Sequence, residues 1–150
     1  MSDHRELYQE TILDHSRSPR NKHAMPDANH HADGYNRLCG DKLSLYLKIE
    51  NGVIEDISFI GEGCAISTAS ASLMTETLKG KRLEDVSPLF EKFHNMVAGS
   101  VEKIDDEEML GKLLVFSGVR EFPVRVKCAT LAWHTLQAAL KDNSKTVSTE

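Results

Sequence analysis

The chain has 150 residues, a formal net charge of -5, 40% hydrophobic and 27% charged residues. That length suits one domain over 1–150, burying roughly 68–70% of its unfolded surface, and the apolar fraction excludes a chain that stays disordered. A mildly acidic chain with no basic run is a poor partner for nucleic-acid phosphates. No apolar run reaches the ~18 residues of a membrane span, and the start has no signal-peptide core, so the expectation is a soluble cytoplasmic protein.

Residues 4–16 predict a helix with Asp3 as N-cap and Leu7, Tyr8, Ile12 and Leu13 as its apolar stripe. Arg17-Ser18-Pro19-Arg20-Asn21 ends it, and the chain to Leu38 reads as polar and irregular. Leu43, Leu45, Leu47 and Ile49 then alternate with polar residues, which predicts a half-buried strand. Asn51-Gly52 is a two-residue hairpin signal, and Val53, Glu55, Ile57 and Phe59 share one side of a returning strand, blurred by Ile54 and Ile60.

Gly61-Glu62-Gly63-Cys64 breaks that strand, and Ala65–Lys79 predicts a helix of mostly small residues stopped by Gly80. Over 83–98 the apolar residues keep helical spacing, with Pro88 read as first position of the continuous part behind Ser87. Asp105 with Glu108 suggests a capping box for a segment ending near Gly118. Phe122-Pro123 starts an extended approach to a last helix from about Cys128 to Lys141, and a flexible polar tail covers about 143–150. The order predicts an α+β fold, a small antiparallel sheet of about three strands with helices packed against it.

The chemistry lies in Cys39, Cys64 and Cys128. An odd count with 24 and 63 residues between is no disulfide framework. Cys39 and Asp41 are two apart at the entry to a strand, so both face one side and can grip one ion. Cys64 opens a helix, and Cys128 is expected to do the same; helix N-termini favour thiolate. Three sulfurs and a carboxylate suit tetrahedral Zn²⁺, although the spacing is not that of a zinc finger. Arg125 and Lys127 could offset the net negative charge of such a site. The histidines read as surface groups, His30-His31 come close enough in sequence to reach the site, and Trp133 reads as packing.

Three motifs then carry a resemblance. Leu38-Cys39-Gly40-Asp41, Gly61-Glu62-Gly63-Cys64-Ala65-Ile66-Ser67 and Phe122-Pro123-Val124-Arg125-Val126-Lys127-Cys128, with Asp14-His15 through Asn21, resemble the SufU-type proteins of the IscU/NifU-like iron–sulfur cluster assembly superfamily. The resemblance runs from about residue 5 to 141. IscU scaffolds carry histidine before the last cysteine, where this chain has Lys127, and 65–127 is longer than in IscU; both features are similar to SufU. The resemblance implies zinc held by Cys39, Asp41, Cys64 and Cys128, with Cys39 accepting sulfur from the persulfide of a SufS-type pyridoxal-phosphate cysteine desulfurase. It implies too that a desulfurase histidine replaces Cys39 on zinc, and that sulfur passes to downstream iron–sulfur assembly proteins. Arg125 is expected to support the site or the docking surface. Two other readings stand beside this one: a scaffold that binds iron or an iron–sulfur cluster, and a zinc-stabilised adaptor without thiol chemistry.

Overall fold

The computed structural model describes residues 2–99, 107–141 and 146–148. Helix α1 spans Ser2–Arg17, and a three-stranded antiparallel sheet follows from β1 (His30–Asn36), β2 (Asp41–Glu50) and β3 (Val53–Glu62). Helices α2 (Ala65–Leu78) and α3 (Leu83–Ala98) come next, then a short α4 (Glu107–Leu110) running into a 3₁₀ helix, Gly111–Glu121. Helix α5 spans Pro123–Lys141, and β4 (Thr146–Ser148) pairs in parallel with β1, giving the order β3-β2-β1-β4. The expected α+β class is what the chain adopts, with a fourth, parallel strand where a polar tail was expected.

The hairpin follows the predicted pattern, and a bulge explains its irregularity. Leu43, Leu45 and Leu47 are buried on the helix side. Pairing runs Lys48↔Asp56 and then Ile49↔Ile54, so Glu55 is an extra residue on β3. An inserted residue inverts the alternation beyond it. Ile54 is therefore buried together with Ile57 and Phe59, and Glu55 faces solvent.

Strand β1 has no apolar alternation to announce it, and the segment expected to be irregular pairs with β2 over its whole length. Its buried positions are Ala32, Gly34 and Asn36. Small residues serve because α5 lies directly on this strand: a Cβ on Gly34 would overlap Thr135 Oγ1. The small face of α2 works in the same way, with Ser70 Oγ donating to Ala129 O of α5 at 2.6 Å. Trp133 is fully buried and stacks on Phe93 with ring centroids 4.6 Å apart, so its packing role holds.

Several helix expectations change. Helix α1 begins at Ser2, which places Asp3 inside it, and Leu7 and Leu13 are exposed while Tyr8 and Ile12 pack on the core. Helix α3 starts at Leu83 and passes through Pro88, losing one backbone hydrogen bond but keeping Val86, Leu89 and Phe93 inward. The capping box lies outside the described residues at Asp105, and the 3₁₀ helix carries on past Gly118 to Glu121. Helix α5 starts at Pro123, not near Cys128, because proline at the first helical position suits the helix. The stretch expected to be extended is its first turn, so Cys128 sits in its second turn.

His15, expected on the surface, is 3% exposed. Its Nδ1 lies 2.7 Å from Ser72 Oγ, which accepts the Arg20 N–H at 2.9 Å, tying α1 and the following turn to α2. Burial, with the nearby Arg20 charge, holds the His15 pKa below its usual value. An unfolded histidine takes its proton near pH ~6.5, so as pH falls through that value the unfolded chain gains a proton that the folded one resists. Folding stability therefore declines toward acid. His15→Gln should flatten the decline in melting temperature between about pH 7 and pH 5. An unchanged slope would mean that His15 does not contribute to it.

Candidate metal centre

Four proposed ligands come from four pieces of chain that the fold brings to one end of the sheet. Cys39 occupies the turn between β1 and β2, its N–H bonded to Asn36 O at 3.3 Å. Gly40, with φ of +70°, lets that turn close. Asp41 opens β2 and is 1% exposed. Its Oδ1 accepts the Cys64 N–H at 2.8 Å, and its Oδ2 is 3.9 Å from Cys64 Sγ. Cys64 is the N-cap of α2, where its sulfur accepts the Ser67 N–H at 3.4 Å. Cys128 is fully buried, with Sγ 3.0 Å from Cys39 Sγ.

Ligand atoms of Cys39, Asp41 and Cys128 all lie within 4.8 Å of one another, and Cys64 joins through Asp41. Two sulfurs bound to one tetrahedral zinc at ~2.3 Å each are ~3.8 Å apart. Cys39 Sγ and Cys128 Sγ are closer than that, at 3.0 Å, and Cys64 lies outside the mutually close set, so the donors fit zinc in kind, with Cys39, Asp41 and Cys128 already gathered. No disulfide forms, and all three cysteines are free.

The thiols are unequal. A hydrogen bond from Cys128 and the N–H groups of Ser67 and Ile66 bring the Cys64 pKa down to about 6, against burial. Cys128 moves the other way, raised by that same bond and by burial. The expectation that a helix N-terminus favours thiolate holds at Cys64 and fails at Cys128, which lies beyond the free N–H groups of the first turn.

Gly63 allows Asp41 to meet the α2 N-terminus, since a Cβ there would sit 2.5 Å from Asp41 Oδ1. Gly63→Ala should push the loop off Asp41, with zinc affinity falling about tenfold or more by chelator competition, comparable to loss of a supporting group. Retained affinity would show that the loop adapts.

The site opens to solvent through a depression of about 580 Å³, in whose wall Cys39 and Cys64 lie. Leu38, Phe122 and Val124 stand around it at 73%, 61% and 60% exposure. Arg125, also exposed, lines the same depression from the first turn of α5. Sequence reading passed over this apolar rim; Phe122 and Val124 flanking a proline, one turn before a cysteine, were its signal. His30 and His31 are not part of the site. They begin β1 opposite Leu47 and Tyr46, about 20 Å along the strand from Asn36, and His31 pairs with Asp33 at 3.0 Å.

A small α+β domain holding three cysteines and one aspartate at one end of its sheet defines the class. Residues 7–129 match the NifU-like N-terminal domain, and the chain belongs to that family. It is 42% identical over 139 residues to the iron–sulfur cluster assembly scaffold protein IscU of Thermotoga maritima, covering 93% of this chain and 96% of that one. It is equally 42% identical over 131 residues to the zinc-dependent sulfurtransferase SufU of Bacillus subtilis, covering 87% of each. A crystal structure from Fervidobacterium islandicum AW-1, described as an iron–sulfur cluster assembly scaffold protein for the SUF system, superposes with a TM-score of 0.82 at 36% identity, covering 90% of this chain and 97% of that one. Among the described residues no helix is long and apolar enough to cross a membrane.

Proposed function

We propose that the chain, as a single domain over 1–150, is a zinc-holding sulfur acceptor in iron–sulfur cluster assembly. Cys39, Asp41, Cys64 and Cys128 hold the metal, and Cys39 receives sulfur from a SufS-type pyridoxal-phosphate cysteine desulfurase. The observation that carries this reading is the unequal access of the ligands. Cys128 and Asp41 are buried, whereas Cys39 sits on a turn at an open, apolar-rimmed depression. The name of the Bacillus subtilis relative supports it.

Zinc, when bound, keeps its cysteine ligands deprotonated and unavailable to stray oxidants. The work of the chain's own residues follows from their positions. Cys39 thiolate attacks the outer sulfur of the desulfurase persulfide; the new S–S bond to Cys39 forms as the old one breaks. The desulfurase cysteine leaves as thiolate, with no external oxidant or reductant. Leu38, Phe122 and Val124 offer the apolar surface that a protein partner would cover. Arg125 beside them attracts anionic groups at the point of docking. The sulfur then passes to downstream iron–sulfur assembly proteins in the cytoplasm.

Incubation with desulfurase and cysteine should leave one extra sulfur on Cys39, read by mass spectrometry, and desulfurase turnover should rise. Both effects should vanish in Cys39→Ala, and Arg125→Ala should weaken the stimulation. Stimulation that persists in Cys39→Ala would favour a zinc-stabilised adaptor.

A second reading, a scaffold for an iron–sulfur cluster, is supported by the names of the Thermotoga and Fervidobacterium relatives. Anaerobic reconstitution that yields a stable stoichiometric cluster on the same four residues would favour it.

A further inference from the structure

Asn36 ends β1 with no solvent exposure, and its partner across the Arg37–Gly40 turn is Asp41. The two polar atoms of its amide are in different situations. Oδ1 accepts the Leu38 N–H at 3.2 Å, while the main-chain carbonyl accepts the Cys39 N–H. That bond fixes the orientation of the amide, because a flipped side chain would set N–H₂ against N–H. Nδ2 is then buried with no hydrogen-bond partner among the described residues. A buried donor without an acceptor is costly and rare in folded proteins.

An acceptor with capacity to spare lies opposite. Directly paired residues of an antiparallel ladder send their side chains to the same face, with Cβ atoms ~4.5–5.5 Å apart. Asn36 and Asp41 are such a pair, and both are buried on the face that α5 covers. A carboxylate has about four lone-pair sites, and the Cys64 N–H uses one of those on Asp41. Ligating carboxylates are themselves usually hydrogen-bonded, which fixes the direction of the ligating oxygen.

We propose that Asn36 is a positioning residue of the metal centre: no bond joins its side-chain N–H₂ to Asp41 in this structure, and with the ion bound that buried donor takes the Asp41 carboxylate as its acceptor and orients it toward the ion. The inference rests on the reading of Asp41 as a metal ligand. Through Oδ1 the same side chain shapes the turn that carries Cys39, so one residue sets the direction of the buried oxygen ligand and the path of the accessible sulfur. Its role is distinct from ligation, because a neutral amide nitrogen does not bind zinc.

Zinc competition against a chromophoric chelator tests this on the full chain. Asn36→Ser keeps an oxygen that can cap the Leu38 N–H in the same turn, and its side chain is too short to cross the strand pair. Its zinc affinity should fall about 10–100-fold, the usual effect of losing a partner of a ligand. Asn36→Leu, close in size but without polar atoms, should fall at least as far. In an Asp41→Ala background Asn36→Ser, which keeps the cap of the turn, should not alter zinc affinity by more than about twofold, since no carboxylate is left to orient. Circular dichroism of the metal-free variants separates this from misfolding. An unchanged affinity in Asn36→Ser overturns the proposal. So does an equal loss in both backgrounds, which would mean that Asn36 acts through the turn or a buried water. If Asp41→Ala by itself leaves zinc affinity intact, the ligand assignment fails. If Asp41→Ala weakens zinc and Asn36→Ser does not, only the positioning role fails.

Discussion

Stripping zinc from the protein should lower its melting temperature by about 6–20 °C. The four proposed ligands belong to the β1–β2 turn, the start of β2, the N-cap of α2 and the second turn of α5. One ion would therefore join elements that lie far apart in sequence, and its binding free energy counts as folding free energy. Structural zinc in small domains contributes ~10–16 kcal/mol. The apolar core of this chain is continuous from the sheet to α5, so it should stay folded without metal and lose only part of that amount. A loss of ~3–5 kcal/mol, at ~2–4 °C per kcal/mol for a domain of this size, gives the expected shift. Calorimetry before and after chelation, with zinc removal verified by elemental analysis, measures it. An unmoved transition would mean that the metal contributes nothing to the fold.

Substitutions of Asp41 should separate structural from exchangeable zinc. Asp41→Ala removes a proposed ligand and leaves the part-buried Cys64 N–H without its 2.8 Å acceptor. It should lose zinc by a factor of about 100 or more and destabilise the fold by ~1 kcal/mol through the lost hydrogen bond alone. Asp41→Cys supplies a softer ligand, and a four-sulfur site should keep zinc or tighten it. If Cys39 must come free to accept sulfur, it should do so reluctantly from that site. Desulfurase stimulation should then fall about tenfold while zinc content stays full, a change of ~1.4 kcal/mol in the relevant barrier. Full stimulation with tight zinc in Asp41→Cys would sink the idea that Cys39 must leave zinc to accept sulfur. Zinc retained in Asp41→Ala would remove Asp41 from the ligand set.

The elements legible in the sequence were those whose burial is written as a period. The leucines of β2 alternate, Asn51-Gly52 turns the chain, and the small residues of α2 stop at Gly80, which has φ of +87°. Each signal is local, so side-chain periodicity and turn chemistry suffice to read it. The four residues of the candidate centre were legible for another reason. Three thiols and a carboxylate, all but Cys128 beside glycines, are chemically unusual whatever the fold, and Cys39 with Asp41 are close by strand geometry alone.

What only the tertiary structure decided lacks a local signature. Strand β1 reads as loop because its inward residues are alanine, glycine and asparagine, chosen by the closeness of α5 and not by hydrophobicity. His15 looks like a surface residue until α2 presents Ser72 to it. Pro123 looks like the start of an extended approach, yet it starts α5 and moves Cys128 away from the free N–H groups. The meeting of Cys128 with Cys39 brings together residues 89 positions apart. No window of sequence contains such a contact; it exists because the glycine of β1 lets α5 lie against the sheet, which carries the last sulfur to the other three candidate ligands.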